Sequence, residues 1–434
     1  MELLKEFECG CGRVHKALIG EVIIGYGIME QIPDILEKYN AKKPFIVSDI
    51  NTYQAAGKEL AKVLDNCNID YSQYIFKSPY LEPDERSVGS AVMHYDSSAD
   101  IVIGVGSGVI NDICKIVSSV ADLPYIIIAT APSMDGYASA TSSVNRDGLK
   151  ISLPAKCADV VIGDIEILKN APEKLLKAGI GDMLAKFVSI CEWRISNIIT
   201  GEYYCEQVAE MVRKALKKCV SNAAGLLNRK DEAVRAVFEG LVLSGIAMNY
   251  AGSSRPASGT EHYFSHIWDM RALEFDTPHD YHGIQCALGT YYTVIIYEKL
   301  LSITPDRKKA LNYVSHFDYE DYSLKLRSFL CRGATEMINL ERKESKYSAK
   351  KHSERLNVII QKWEDIKEVI RQELMPLHEL EKLYYLLNLP KTIEELGMEK
   401  TIAVQTFKHT KDIRDKYILS RLCFDLGIID EIMD

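Results

Sequence analysis

Histidines are concentrated in one short stretch of the second half of this 434-residue sequence. Four of the ten lie within 21 residues: His262, His266, His279 and His282. His262 and His266 are four apart, so a helix would place them on one face. Imidazoles together with a carboxylate such as Asp182 are suitable ligands for zinc, nickel or ferrous iron. The spacing predicts a metal site but leaves open which three residues are its ligands, and a purely structural cluster is the alternative.

Short apolar strands that lead into glycines give the second chemical signal. Ile101–Ile103 reads as a buried strand, and a helix is predicted over Val109–Val120. A glycine turn connects them, with Gly104, Gly106 and Gly108. Glycines let the backbone approach a phosphate closely, and the positive end of the helix attracts its charge. The segment is predicted to bind phosphate, although its Gly-x-Gly-x-Gly spacing differs from the Rossmann fingerprint.

Polar residues also follow two other predicted strands. Tyr125–Ala129 ends in the polar turn Thr130–Ser139, and open α/β sheets bind ligands at such strand ends. Asp49 ends an earlier strand, where an acid can accept hydrogen bonds from the ribose of a dinucleotide. Its structural alternative is an Asx turn or a helix N-cap. Because Asp49 precedes the glycines by more than fifty residues, the dinucleotide fold must differ in topology from the Rossmann order.

The elements that must position these residues divide the chain in two. Strands alternating with amphipathic helices predict an α/β domain with a mainly parallel sheet over residues 1–168. Strand signals then nearly vanish, and helical periodicity predicts an all-α domain over residues 169–434. Asp182 follows a glycine turn, Gly179–Gly181, and is predicted in the first turn of a helix, where the dipole favours an acid.

Charge and cysteine usage limit the class of protein. A net charge of −9 argues against nucleic acid or an anionic membrane as partner, and no stretch approaches a bilayer span. The N-terminus does not read as a signal peptide, and eleven scattered cysteines indicate reduced thiols in the cytoplasm. Cys9, Cys11 and His15 could hold zinc. No second cysteine pair lies nearby in the sequence, so a β-hairpin with a tight glycine turn is the favoured interpretation.

Taken together, these motifs resemble the sn-glycerol-1-phosphate dehydrogenases of the bacterial, arabinose-operon type, within the iron-containing alcohol dehydrogenase-like superfamily. The segments that carry the resemblance are Gly106–Asp112, Thr130–Ser139, Gly179–Asp182, Glu261–His266 and His282–Gly283. The N-terminal Cys-x-Cys-Gly-x-x-His segment is also similar. The resemblance covers residues 1 to about 300 in order, and beyond that only helical character agrees.

The resemblance implies a dehydroquinate synthase-like fold, with an α/β dinucleotide-binding domain before an all-helical metal-binding domain. It implies NAD(H) or NADP(H) and one divalent metal, zinc or nickel, per subunit. The implied metal ligands are Asp182, His262 and His282, with His279 as a rival to His282. Asp182 and His266 would be catalytic and, with Asp135, would face the substrate. The implied cofactor contacts are Asp49, Gly106, Gly108, Val109, Ile110, Asn111, Asp112, Thr130, Ala131, Pro132, Ser133 and Ser139.

The implied reaction is the reversible reduction of dihydroxyacetone phosphate to sn-glycerol 1-phosphate, feeding glycerophospholipid or ether-lipid synthesis in a cytoplasmic homodimer or larger homo-oligomer. Cationic candidates for the substrate phosphate are Lys150, Lys186 and Arg255. A glycerol dehydrogenase and a 3-dehydroquinate synthase-like lyase share this fold, but the Pro132–Gly136 turn favours a phosphorylated substrate. The lyases carry Glu at the place of Asp182. A non-catalytic dinucleotide-binding protein is a further alternative, which the intact Asp and His set disfavours.

Overall fold

The computed structural model describes residues 6–78, 80–147 and 149–433. Within those ranges the chain forms two compact units. The first comprises Met1–Met183 with Glu210–Ser253, and the second comprises Leu184–Ala209 with Ser254–Asp434. The domain boundary predicted after residue 168 marks the change from alternating strands and helices to helices alone. The first unit also includes helical residues beyond that boundary, within 169–183 and 210–253.

The strands all lie in the first unit. Over the described residues they are β1 Phe7–Glu8, β2 Val14–His15, β3 Glu21–Gly25, β4 Pro44–Asp49, β5 Ser72–Phe76, β6 Ile101–Gly106, β7 Tyr125–Ala129, β8 Thr141–Arg146, β9 Leu149–Pro154 and β10 Val160–Asp164. Six of them form one sheet in the order β3-β10-β7-β6-β4-β5, and every neighbouring pair is parallel. β1 with β2 and β8 with β9 form antiparallel hairpins. The predicted mainly parallel sheet is confirmed.

The central strands are continuous apolar runs because helices cover both faces of such a sheet. β6 and β7 are buried along their whole length. Their side chains pack with helical residues such as Ile32, Leu60 and Leu64 in one hydrophobic core. The helices of this unit are α1 Ile32–Lys38, α2 Ile50–Thr52, α3 Lys58–Asn66, α4 Glu85–Met93, α5 Gly108–Ala121, α6 Ile165–Lys169, most of α8 Glu206–Asn222, and α9 Asp231–Ala251.

One edge of the sheet collects the polar strand ends. β6 lies between β4 and β7, and Gly106 pairs with Ala129 in parallel register. β4 ends at Asp49, so three neighbouring strands finish at the same edge. Gly104 and Gly106 lie within β6, which corrects the prediction that they form a turn. A Cβ at Gly106 would come within 2.5 Å of the Ile110 side chain, so this glycine allows α5 to pack close to the strand.

The long helix α7, Glu173–Thr200, begins in the first unit and ends in the second. Gly179 and Asp182 lie in its interior, so the predicted glycine turn with Asp182 in a first helical turn is wrong. A mid-helix glycine costs about 1 kcal/mol relative to alanine, and here close packing requires it. A Cβ at Gly179 would lie 1.7 Å from the carbonyl oxygen of Pro132.

Helices are the regular secondary structure of the second unit, and its described residues contain no strand, which confirms the predicted all-α character. After α7 it contains α10 Thr260–Phe275, α11 His282–Leu301, α12 Arg307–Ser315, α13 Tyr319–Leu330, α14 Ala334–Glu344, α15 Ala349–Gln361, α16 Trp363–Glu373, α17 Leu377–Leu387, α18 Lys400–Thr410 and α19 Leu419–Asp425. Its apolar core includes Phe264, Trp268 and Phe407. Among the described residues, none of the helices is both long and apolar enough to cross a membrane.

Candidate functional site

Asp49 closes β4 and caps the helix that follows it. Its Oδ1 accepts hydrogen bonds from the backbone N–H groups of Asn51 at 2.7 Å and Thr52 at 2.9 Å. The Thr52 hydroxyl in turn accepts from the Asp49 N–H at 3.0 Å, which completes a capping box. The structural alternative considered for Asp49 is therefore present. This cap fixes the carboxylate at the carboxyl edge of the sheet. The ribose-binding role of Asp49 stays a prediction.

The polar turn Thr130–Ser139 is fixed by hydroxyl contacts to the start of α5. The Tyr137 hydroxyl donates to the carbonyl of Ala131 at 2.6 Å, and the hydroxyls of Ser107 and Ser133 are hydrogen bonded to each other. Tyr137 also reaches Ser107 at 3.1 Å. These bonds hold the polar turn and the start of α5 in one arrangement, which a preorganised cofactor site would require.

Two side chains of α5, Asn111 and Lys115, also form hydrogen bonds to the polar turn Thr130–Ser139. The Asn111 amide donates to the Gly136 carbonyl at 3.1 Å and accepts from the Tyr125 hydroxyl at 3.0 Å. Lys115 is fully buried and donates to the Gly136 carbonyl at 2.6 Å, Ser139 Oγ at 2.9 Å and the Thr141 carbonyl at 3.0 Å. Burial lowers the pKa of Lys115. Sequence reasoning missed this residue, although a lone lysine within an apolar helix was a signal.

Asp182 is fully buried and contacts the middle of the polar turn. Its Oδ2 accepts a hydrogen bond from the Asp135 backbone N–H at 2.9 Å. The Asp135 carboxylate accepts from the Ser244 hydroxyl at 2.8 Å. Two of the predicted substrate-facing acids are thus neighbours in the first unit. The other residues predicted to bind the metal or to act in catalysis are His262, His266 and His282, and they belong to the second unit.

In the second unit the histidine rings lie together. The rings of His262 and His282 are 5.0 Å apart between centroids, and those of His266 and His282 are 5.9 Å apart. His262 lies on α10, whereas His282 is the first residue of α11. Ligand atoms of His262, His282 and Cys286 all lie within 4.8 Å of one another. His279 precedes α11 and is outside this group of described residues.

Hydrogen bonds fix the orientation of both imidazoles. Nδ1 of His262 lies 2.7 Å from a carboxylate oxygen of Glu261, which can only accept, so this nitrogen carries the proton. Ser265 donates its hydroxyl proton to Gln285 at 2.6 Å, and its Oγ lies 2.8 Å from Nδ1 of His282. The Ser265 oxygen therefore accepts from His282. Both rings keep Nε2 as an acceptor, which is the arrangement found at metal-ligating histidines.

Cys286 adds a thiol that sequence reasoning missed, although it lies four residues after His282 on one helix face. Its Sγ is 3.5 Å from Nε2 of His282. Burial alone would raise the pKa of the thiol, but His262 and His282 outweigh it, and the net direction is downward. The imidazoles and the thiol form a donor set suited to zinc or another divalent transition metal.

Two buried acids, Glu192 and Glu261, lie at the start of α10, the helix that carries His262. Glu192 accepts from the Thr260 N–H at 2.9 Å, from the Thr260 hydroxyl at 2.5 Å and from the Leu419 N–H at 3.0 Å. Burial and the charge of Glu261 raise the pKa of Glu192 to about 7. Glu261 also accepts from the Gly259 N–H at 2.7 Å, through Oε1, the same oxygen that contacts Nδ1 of His262.

The three cationic candidates for a substrate phosphate differ in their surroundings. Arg255 is buried, and its guanidinium donates to Glu202, Ser196 and the Tyr417 carbonyl. Lys186 is also buried and donates to the Ala257 carbonyl at 3.0 Å. Lys150 lies on β9 of the first unit. Arg255 thus has a structural role in the second unit that its sequence position did not reveal.

Comparison with known proteins of similar sequence shows the family to which this chain belongs. The chain is 33% identical over 295 residues to a glycerol-1-phosphate dehydrogenase [NAD(P)+] of Halalkalibacterium halodurans, covering 67% of this chain and 74% of that protein. It is 32% identical over 271 residues to the enzyme of that name from Methanosarcina mazei, covering 62% and 74%. The chain belongs to the glycerol-1-phosphate dehydrogenase family. The predicted resemblance is confirmed.

The fold of this family member agrees with wider comparisons. A profile described as iron-containing alcohol dehydrogenase matches residues 23–172. A glycerol dehydrogenase structure from Schizosaccharomyces pombe superposes with a TM-score of 0.63 at 16% identity, covering 99% of this chain and 93% of that one. An iron-containing alcohol dehydrogenase from Thermococcus thioreducens gives 0.61 at 14% identity, covering 96% and 98%. These structures confirm the predicted fold class.

Proposed function

We propose that this chain reduces dihydroxyacetone phosphate reversibly to sn-glycerol 1-phosphate, using NADH or NADPH and one divalent metal. The observation that carries the proposal is the pair of imidazoles, His262 and His282, each with Nδ1 held by a neighbour and Nε2 left as an acceptor. Such a pair on two helices of a glycerol-1-phosphate dehydrogenase family member suits a metal-dependent reduction of a ketone.

The proposed metal ligands are Asp182, His262 and His282. When bound, the divalent metal supplies Lewis acidity toward the carbonyl oxygen of the substrate, and the nicotinamide supplies hydride. Glu261 and Ser265 keep the two imidazoles in the tautomer that can coordinate. The buried position of Asp182 favours retention of a bound cation that offsets its charge.

The proposed proton donor is His266. Its ring lies 5.9 Å from that of His282, and it is partly exposed, so it can exchange protons with water. In the reduction, the product alcohol oxygen at C2 needs one proton, which the His266 imidazole can deliver. Asp135 is proposed to face the substrate, with its carboxylate fixed by Ser244.

The proposed cofactor contacts lie at the carboxyl edge of the sheet. Asp49 would accept from the adenosine ribose, while backbone N–H groups of the Gly108–Ile110 segment meet the pyrophosphate at the positive end of α5. The other proposed contacts are Gly106, Asn111, Asp112, Thr130, Ala131, Pro132, Ser133 and Ser139. Asn111 and Ser139 also hold the polar turn through Gly136 and Lys115, so their side chains support the site as well as line it.

The finer features follow from the family likeness. We propose zinc or nickel as the metal, and a homodimer or larger homo-oligomer as the assembly, which sedimentation would measure. A cytoplasmic location stays a prediction of the sequence. The division of roles, with an α/β domain for the cofactor and helices for the metal, stays a proposal in the same way.

A coupled assay tests the activity. Oxidation of NADH and of NADPH is followed with dihydroxyacetone phosphate as substrate, using metal-loaded protein and the same protein after chelation. The expected result is turnover only with metal, giving a product that a glycerol-3-phosphate dehydrogenase does not oxidise. No turnover with added Zn²⁺ or Ni²⁺ would refute the proposal.

Two further outcomes separate the rivals. Glycerol oxidation that is faster than dihydroxyacetone phosphate reduction would identify a glycerol dehydrogenase. NADH binding without turnover of any of these substrates would indicate a non-catalytic dinucleotide-binding protein.

A further inference from the structure

The N-terminal hairpin brings two cysteines and a histidine together at one point of the first unit. β1 and β2 pair antiparallel, with Phe7 opposite His15, and the connection between them contains Cys9 and Cys11. The Gly12 N–H donates to the Cys9 carbonyl at 3.0 Å, and the Cys9 N–H donates to the Arg13 carbonyl at 3.0 Å. Gly12 takes a positive φ of 83° in this turn, which glycine adopts readily.

The ligand atoms of these side chains are spaced as a metal ion requires. Sγ of Cys11 lies 3.3 Å from Nε2 of His15, and the ligand atoms of Cys9, Cys11 and His15 all lie within 4.8 Å of one another. Tetrahedral zinc with ordinary Zn–S and Zn–N bonds separates sulfur from nitrogen by about 3.6 Å. A zinc ion therefore fits between them after small side-chain shifts.

The histidine is prepared for coordination through Nε2. His15 is fully buried, and its Nδ1 lies 2.8 Å from the carbonyl oxygen of Tyr250 on α9. A carbonyl only accepts hydrogen bonds, so Nδ1 carries the proton and Nε2 presents its lone pair toward Cys11. Metal-ligating histidines commonly donate their second ring N–H to a backbone carbonyl in this way.

The backbone also contacts one of the cysteine sulfurs. The Cys11 N–H lies 3.5 Å from Sγ of Cys9, in position to donate to it. Cysteine binds metal as the thiolate. Two thiolates and one neutral imidazole favour zinc over magnesium, calcium or manganese, which prefer oxygen ligands.

The hairpin is anchored to α9 on either side of the cluster. The Arg13 guanidinium donates to the Ala251 carbonyl at 3.1 Å. The ring of Phe7 packs edge-on against Tyr250 at 5.5 Å and against His15 at 5.1 Å. A metal held at this point would cross-link a two-residue strand pair that is too short to be stable alone, and the contacts above join that pair to α9.

We propose that Cys9, Cys11 and His15 hold a structural zinc ion, separate in composition from the proposed catalytic metal site. These three residues supply three ligands, and tetrahedral zinc takes one more from water or another side chain. The sequence interpretation favoured a plain hairpin. The structure contains that hairpin, and the histidine tautomer and the sulfur–nitrogen distance add the second, metal-binding role.

Metal analysis of the full-length protein tests this proposal. The background variant is His262→Ala/His282→Ala, which lacks both imidazoles of the proposed catalytic site. It is purified without chelator and is expected to retain about one zinc per chain. Adding Cys9→Ser and Cys11→Ser should remove that zinc. Adding Cys67→Ser instead, at an exposed cysteine after α3, should leave it in place.

A spectroscopic measurement keeps the test independent of variant folding. X-ray absorption at the zinc edge of the background variant should show two or three sulfur ligands with at least one imidazole. Sulfur-free coordination would overturn the proposal, as would equal zinc content with and without Cys9→Ser/Cys11→Ser. Loss of activity in the His262→Ala/His282→Ala protein with zinc retained would show that the two sites are independent.

Discussion

The contact between Gly179 and Pro132 gives the most direct test of how the first unit is built. Replacing Gly179 by alanine would put Cβ 1.7 Å from the Pro132 carbonyl oxygen and 2.8 Å from its carbonyl carbon. Ordinary contacts of this kind are close to 3.5 Å, so the two backbones must separate by about 2 Å. Both partners are backbone segments, and no side-chain rotation can relieve the overlap.

The cost of that separation can be bounded. Overpacking of a well-packed site typically costs about 1–3 kcal/mol, and a backbone partner places this case toward the upper end. Pro132 belongs to the polar turn proposed to bind the dinucleotide. If the turn must return to its original position for the cofactor to bind, this cost of about 1–3 kcal/mol is subtracted from the binding free energy. The Kd for NADH then rises by about 5- to 150-fold.

Two measurements on Gly179→Ala check this reasoning: the Kd for NADH by fluorescence titration and the thermal midpoint of the protein without ligand. We expect a weaker Kd, a lower midpoint, or both. The matched control is Gly89→Ala on α4, where an added Cβ meets no atom within 4 Å. That substitution should be neutral or slightly stabilising. A Gly179→Ala protein with wild-type Kd and midpoint would refute the packing argument.

Three other predictions concern the second unit. His262→Ala should abolish metal-dependent activity and leave the Kd for NADH within about twofold, because the imidazole acts on the metal and not on the dinucleotide; unchanged activity would exclude it as a ligand. Glu261→Gln should weaken metal affinity by about 10- to 100-fold, measured by competition with a chelator, because the amide no longer holds Nδ1–H of His262 as a carboxylate does. The raised pKa of Glu192, about 7 against 4.5 in an unfolded chain, means that its contribution to stability is present below pH 4.5 and is lost as pH rises through 7. Glu192→Gln should therefore flatten the fall in thermal midpoint of metal-free protein between pH 5 and pH 8, and an unchanged slope would assign that fall to other groups.

The sequence was sufficient to predict the sheet and its polar edge because apolar runs and strand-end residues carry their own signal. Tyr125–Ala129 was predicted with the bounds that the structure shows. Asp49 was correctly placed at a strand end, whereas Gly106 was predicted in a turn and is the last residue of β6. The histidine cluster was also visible in the sequence, because its members are close along the chain as well as in the second unit.

Other features could not be read from local patterns. Gly179 resembled a turn residue, but packing against Pro132 holds it inside α7. Lys115 donates to two oxygen atoms of the polar turn and to the Thr141 carbonyl on β8, and those acceptors lie 21 to 26 residues away in sequence. The Tyr250 carbonyl that fixes His15 is 235 residues distant. Long-range partners of this kind decide whether a polar residue is a ligand, a clamp or both.

The chain order of the first unit has a consequence for how the protein is made. In the parallel sheet, β3 from the N-terminal region pairs with β10, and residues 210–253 of the same unit are synthesised only after residues 184–209 of the other. Folding rates fall as contacting residues become more distant in sequence. On the ribosome, β3 must wait for β10, and the unit is incomplete until residue 253 has emerged. During that interval the apolar strands lack their partners and are prone to aggregate, so the soluble expression yield should depend on chaperones and growth temperature.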